Sequence, residues 1–97
     1  MRHFHRTSIS PDAALGIADV FFPTIGLTPG ASGLRSRTFS GAIGMVTLTV
    51  RMEGGHYTFI EVHTDQMGES RLDRNVKAYF VRVHREADPR HLIEAAY

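Results

Sequence analysis

Glu61, His63 and Asp65 stand two residues apart in a run from His56 to Asp65 that is rich in Tyr, Phe, Ile, Val and Thr. In a strand, positions i, i+2 and i+4 share one face. The spacing therefore gathers a carboxylate, an imidazole and a second carboxylate on one side. Such a set can hold a cation or move a proton, so His63, Glu61 and Asp65 are the candidate metal ligands. Glu61 and His63, with Tyr79 from a helix packed on the sheet, are also the candidate lining of a polar pocket for a small ligand. The structural alternative places Glu61 and His63 at the wet rim of the sheet, or pairs them with Arg71 or Arg74. A charge facing the core is costly unless it is paired or hydrated.

The other chemistry-bearing residues point less sharply. The chain has six histidines. His3 and His5 alternate on one face of an N-terminal strand and read as exposed. His56 sits at a hairpin end, and Pro89 separates His84 from His91. There is no HExxH, no glycine-rich phosphate loop and no GxSxG. Gly41-Ala42-Ile43-Gly44 precedes a strand rather than opening a helix. Ser36, Thr38 and Ser40, beside Arg35 and Arg37, read as a polar edge strand. Tyr57, Phe59, Tyr79 and Phe80 fall where a core is expected rather than on a base-stacking platform. No cofactor is implied, and the chain reads as a binding module rather than an enzyme.

The elements that place these residues start from Gly54-Gly55, a strong two-residue hairpin signal. With that turn, Glu53 faces His56, Met52 faces Tyr57, Val50 faces Phe59, Leu48 faces Glu61 and Val46 faces His63. Glu61 and His63 then lie beside the apolar stripe Val46, Leu48, Val50 and Met52. Ile60 and Val62 lie on the opposite face with Thr47 and Thr49, and a one-residue slip reverses every assignment. On this register the outer face is apolar enough to be covered by a second subunit. Ile60 and Val62 are therefore candidate interface residues. Val81, opposite the core side of the second helix, is a third.

Ser10, Pro11 and Asp12 supply a cap, a first-turn proline and a first-turn acid. Ala14, Leu15, Ala18, Phe21, Phe22 and Ile25 follow at helical spacing, and Pro23 ends the helix near Phe22. Residues 26–33 read as a loop. Strands are expected within 3–10 and over 34–40, 44–53 and 56–65. Ser70 and Asp73 resemble a capping box. Leu72, Val76, Tyr79, Phe80, Val83 and Ala87 then fall on one helical face, although 76–84 is also strand-like in composition. Residues 88–97 read as a short extra helix or a tail. The order β-α-β-β-β-α implies an α+β, two-layer fold, with an antiparallel sheet of three to four strands and helices on one face.

Length and composition set the outer bounds. Ninety-seven residues make one small domain over 1–97, which buries roughly 60–65% of its unfolded surface and excludes the large enzyme folds. No cysteine is present, which excludes disulfides and thiol chemistry. Eleven basic side chains face ten acidic ones, a net charge of +1. That footprint is weak for a nucleic-acid binder. No apolar run is long enough to span a membrane, and the arginine- and histidine-bearing start has no apolar stretch behind it. The expectation is a cytoplasmic module that self-associates as a homo-oligomer. A small-molecule ligand at Glu61 and His63 is the alternative, and arginine-mediated nucleic-acid binding is the weakest reading.

Overall fold

Val46, Leu48 and Val50 alternate with Met45, Thr47, Thr49 and Arg51. This period of two builds the central strand β4 (Gly44–Glu53). The structure, a computed structural model, describes residues 1–88. Strand β5 (Tyr57–Thr64) pairs with one edge of β4 and β3 (Ser36–Gly41) with the other. β1 (Arg2–Thr7) lies outside β5, and β2 (Thr28–Gly33) lies outside β3. The sheet has five strands in the order β1-β5-β4-β3-β2, all paired antiparallel. The α+β class stands, but the strand count exceeds the expected three to four. The additional strand is β2, whose Pro29, Gly30, Ser32 and Gly33 read as a loop. An edge strand needs partners on one side only and tolerates proline. Its pairing with β3 is interrupted between Pro29 and Ser32, as a bulge permits.

Helix α1 (Pro11–Thr24) starts as its residues dictate. Ser10 Oγ accepts a bond from the Ala13 N–H at 3.1 Å, and Pro11 opens the helix. It continues past the expected end at Phe22: Pro23 has no N–H for the ladder, but the Ile25 and Gly26 N–H groups close the last turn on the Phe22 and Pro23 carbonyls at 3.2 Å and 3.1 Å. Gly26, with φ +90°, then turns the chain toward β2. Helix α2 (Arg71–Ala87) is a helix rather than the competing strand. Ser70 Oγ caps it by accepting the Asp73 N–H at 3.0 Å, and Leu72, Val76, Tyr79 and Val83 form its buried stripe. Both helices pack against the sheet. Phe22 is the hub, with ring centroids 5.1 Å from Phe39 and 5.3 Å from Tyr79.

The β4–β5 register differs from the expected one by a single residue. Gly54 and Gly55 do adopt positive φ, 64° and 74°. His56, however, joins the turn, its N–H meeting the Glu53 carbonyl at 3.4 Å. The strands resume at Glu53 opposite Tyr57, so Val50 faces Ile60 and Leu48 faces Val62. Ile60 and Val62 are 0% exposed beneath the helices. Their expected place on an outer interface is overturned. The reason is burial: the observed register adds two β-branched side chains to the core, roughly 2 kcal/mol each. The other register would press Glu61 and His63 under the helices, which is costly.

Among the described residues, no helix is long and apolar enough to cross a membrane. The expected helix or tail over 88–97 falls, beyond Asp88, outside the described residues.

Candidate functional site

The strand pairing decides what reaches the side of the sheet that, among the described residues, carries no helix. Three rows of opposed residues cross it: Arg6, Phe59 and Arg51; then Phe4, Glu61 and Thr49; then Arg2, His63 and Thr47. Ser36 and Thr38 extend the last two rows onto β3. Each row shares a face because directly opposed residues do.

Phe59 is the centre of this surface. It is only 5% exposed although neither α1 nor α2 covers it. The Arg6 and Arg51 guanidinium groups lie over its ring, 4.8 Å and 4.5 Å from the centroid, and Phe4 tilts against it at 5.4 Å. Arg2 lies over Phe4 at 4.6 Å. Cations over ring faces are attracted by the aromatic quadrupole. Glu53 and Glu61 fix these arginines from the side: Arg6 Nε donates to Glu53 Oε1 at 2.8 Å, and Arg2 Nε to Glu61 Oε1 at 3.1 Å. The Arg6 bond holds the Glu53 carboxyl below its ordinary value. His63 Nε2 stands 2.6 Å from the same Glu61 oxygen. That contact first, and Arg2 second, hold the Glu61 carboxyl below the ordinary range.

The expected site residues do not come together as a set. Glu61 and His63 are in contact, but on the helix-free side. Tyr79 is 0% exposed on the opposite side of the sheet, where its hydroxyl donates to the Ala14 carbonyl at 2.8 Å. The expected pocket of Glu61, His63 and Tyr79 is therefore not formed. Asp65 also departs from the expected metal trio. Strand β5 ends at Thr64, and Asp65 Oδ1 accepts the Met45 N–H at 2.9 Å and Gln66 Nε2 at 2.8 Å. Those bonds lower its pKa. Among the described residues, no three His, Asp or Glu side chains are placed to hold a metal ion. Val81 is 48% exposed on α2, as expected.

A second polar cluster lies between the sheet and the start of α2. Asp73 is 1% exposed. It accepts bonds from Ser70 Oγ at 2.6 Å and Thr64 Oγ1 at 2.8 Å, and His3 Nε2 lies 2.7 Å away. Burial alone pushes its carboxyl up, but the bonds from Ser70, His3 and Thr64 outweigh it and bring the pKa down to about 2. Three side-chain contacts on this carboxylate tie β1, β5 and the start of α2 together, so its role is structural.

The Arg–Phe cluster and the Asp73 network were not among the expected sites. The signal for the first lies in Arg2, Phe4 and Arg6, which alternate at the N-terminus, but it becomes meaningful only once β1 is known to pair with β5. Neither the protein-family models nor the curated proteins give a match to this chain.

Proposed function

We propose that this protein is a non-enzymatic assembly module that self-associates through the helix-free face of its sheet. One observation carries the reading: Phe4, 47% exposed, packs on Phe59 within a ring of arginines on a face that neither described helix covers. Charges support it. Arg2 with Glu61 and Arg6 with Glu53 place both signs side by side, so a copy related by a two-fold axis can meet each sign with its opposite. The interface differs from the one expected at Ile60 and Val62, but the mode of association is the same. Base stacking is less well supported, because arginines already cover the ring faces of Phe4 and Phe59.

The test is light scattering and native mass spectrometry across a concentration series. The wild-type chain is expected as a dimer or larger species, and Phe4→Glu as a monomer with unchanged circular dichroism. Val20→Asp, at an exposed position on α1, is the control and should assemble normally. A wild-type chain that stays monomeric throughout sinks the proposal. Tight, steeply salt-dependent binding of a generic oligonucleotide, lost in Phe4→Glu, would assign the face to nucleic acid instead.

A further inference from the structure

Strand β1 is an edge strand, bonded on one side to β5, and the hydrogen bonds fix which of its residues face outward. The Met1 ammonium donates to the Thr64 carbonyl at 2.8 Å, and the Thr64 N–H donates to the Met1 carbonyl at 2.8 Å. In an antiparallel pair, opposed residues that exchange both bonds recur at every second position. The bonded pairs are therefore His3 with Val62, His5 with Ile60 and Thr7 with Thr58. Strand β5 agrees from its other side. The Asp65 N–H meets the Met45 carbonyl at 3.1 Å, so the odd-numbered residues of β5 bond to β4 and the even-numbered ones to β1. Arg2, Phe4 and Arg6 thus direct their N–H and C=O groups away from β5. Among the described residues, no strand lies beyond them.

The two edges of the sheet are finished differently. Strand β2 carries Pro29, and its pairing is interrupted between Pro29 and Ser32. Prolines and bulges close a sheet edge to further strands. Strand β1 has neither. Its 6 residues contain no proline or glycine, and all of them pair with β5 in one unbroken register. Charge also discourages edge pairing, but Glu61 and Glu53 of the same chain meet the Arg2 and Arg6 charges.

We propose that β1 pairs with the β1 of a second copy, antiparallel about a two-fold axis at Phe4, so that two sheets become one. Arg2 and Arg6 lie at equal spacing on either side of Phe4. Only the register that sets Phe4 opposite Phe4, and Arg2 opposite Arg6, gives each outward N–H of these residues an outward C=O of the second copy. The edge is its own complement, which is what an isologous contact requires. The side chains agree with the backbone. Phe4 is 47% exposed, and directly opposed side chains share a face, so the two rings meet at the axis. The pairing widens the sheet and leaves the side opposite α1 and α2 open. It adds an edge contact to the face contact of the assembly reading and does not depend on it.

Amide hydrogen exchange of the full chain tests this, read by NMR in dilute solution and at a concentration where light scattering shows association. The His3, His5 and Thr7 amides should be protected in both samples. The Arg2, Phe4 and Arg6 amides should exchange about tenfold more slowly in the associated one, the factor given by a net hydrogen bond near the top of its usual range. A pair of variants isolates the edge. Arg6→Ala and Arg6→Pro both remove the guanidinium over Phe59, but only proline removes an outward N–H, and an edge strand tolerates it there. Arg6→Pro should associate about tenfold more weakly than Arg6→Ala. If Arg6→Pro does not fold, the wild-type exchange pattern decides alone. Association that leaves the three outward amides open, or equal association of the two variants, overturns the edge pairing and leaves the face reading standing. Association that stops at a dimer with those amides protected supports the edge pairing and removes the face reading. A chain that is monomeric at every concentration overturns both.

Discussion

Phe4 and Phe59 meet across the β1–β5 pair, ring centroids 5.4 Å apart, on the side of the sheet opposite α1 and α2. The contact gives the open face a small apolar core of its own, roofed by Arg6 and Arg51. Long arginine stems cover apolar surface while their head groups stay in water.

Phe59→Ala should therefore destabilise the chain by about 3 kcal/mol, the lower end of the range for buried phenylalanine. Chemical denaturation measures this. A loss below about 1 kcal/mol would mean that the arginine roof contributes no packing.

Ile60→Ala should cost about 3 kcal/mol, and Ile60→Asp should unfold the chain, because the side chain is fully enclosed between sheet and helices. Thr49→Lys, opposite Glu61 on the other face of the same strand pair, should leave circular dichroism and thermal stability nearly unchanged. A folded Ile60→Asp variant would contradict the observed register.

Asp73→Asn should destabilise by about 2 kcal/mol, since the amide nitrogen cannot accept the bonds that the carboxylate takes. The effect is pH-dependent. Asp73 has a pKa lowered from 3.8 to about 2, so its contribution is complete above 3.8 and is lost as pH falls from there toward 2. The stability difference between wild type and Asp73→Asn should shrink as pH falls below 4 in denaturant titrations.

Tyr79→Phe should cost about 1 kcal/mol, the usual worth of one neutral hydrogen bond, through loss of the bond to the Ala14 carbonyl. The ring itself stays packed between Phe21 and Phe22. Thermal unfolding with unchanged near-ultraviolet dichroism would check both parts.

Much of the architecture was legible in the residues. Ser10-Pro11-Asp12 and Ser70 with Asp73 mark both helix starts, because capping chemistry is local. The alternation over Val46 to Met52 marks β4, because one buried face imposes a period of two. Edge strand β2 was not legible. Its Pro and Gly content is that of a loop, and only its partner β3 makes it a strand. The Glu61–His63 contact was legible as a spacing of two on one strand, which stays true in either register.

Which side of the sheet those two residues occupy was a different matter. Gly54-Gly55 determined that a hairpin turn forms there, since both positions need positive φ. It did not determine that His56 would join the turn, and that one residue sends Glu61 and His63 to the open face and Ile60 and Val62 into the core. The tertiary structure decided it, because the choice depends on where the helices pack. Apolar Ile60 and Val62 gain from being covered by them, and charged Glu61 loses. Local turn chemistry sets the position of the bend, and burial of the whole sheet sets the register that follows it.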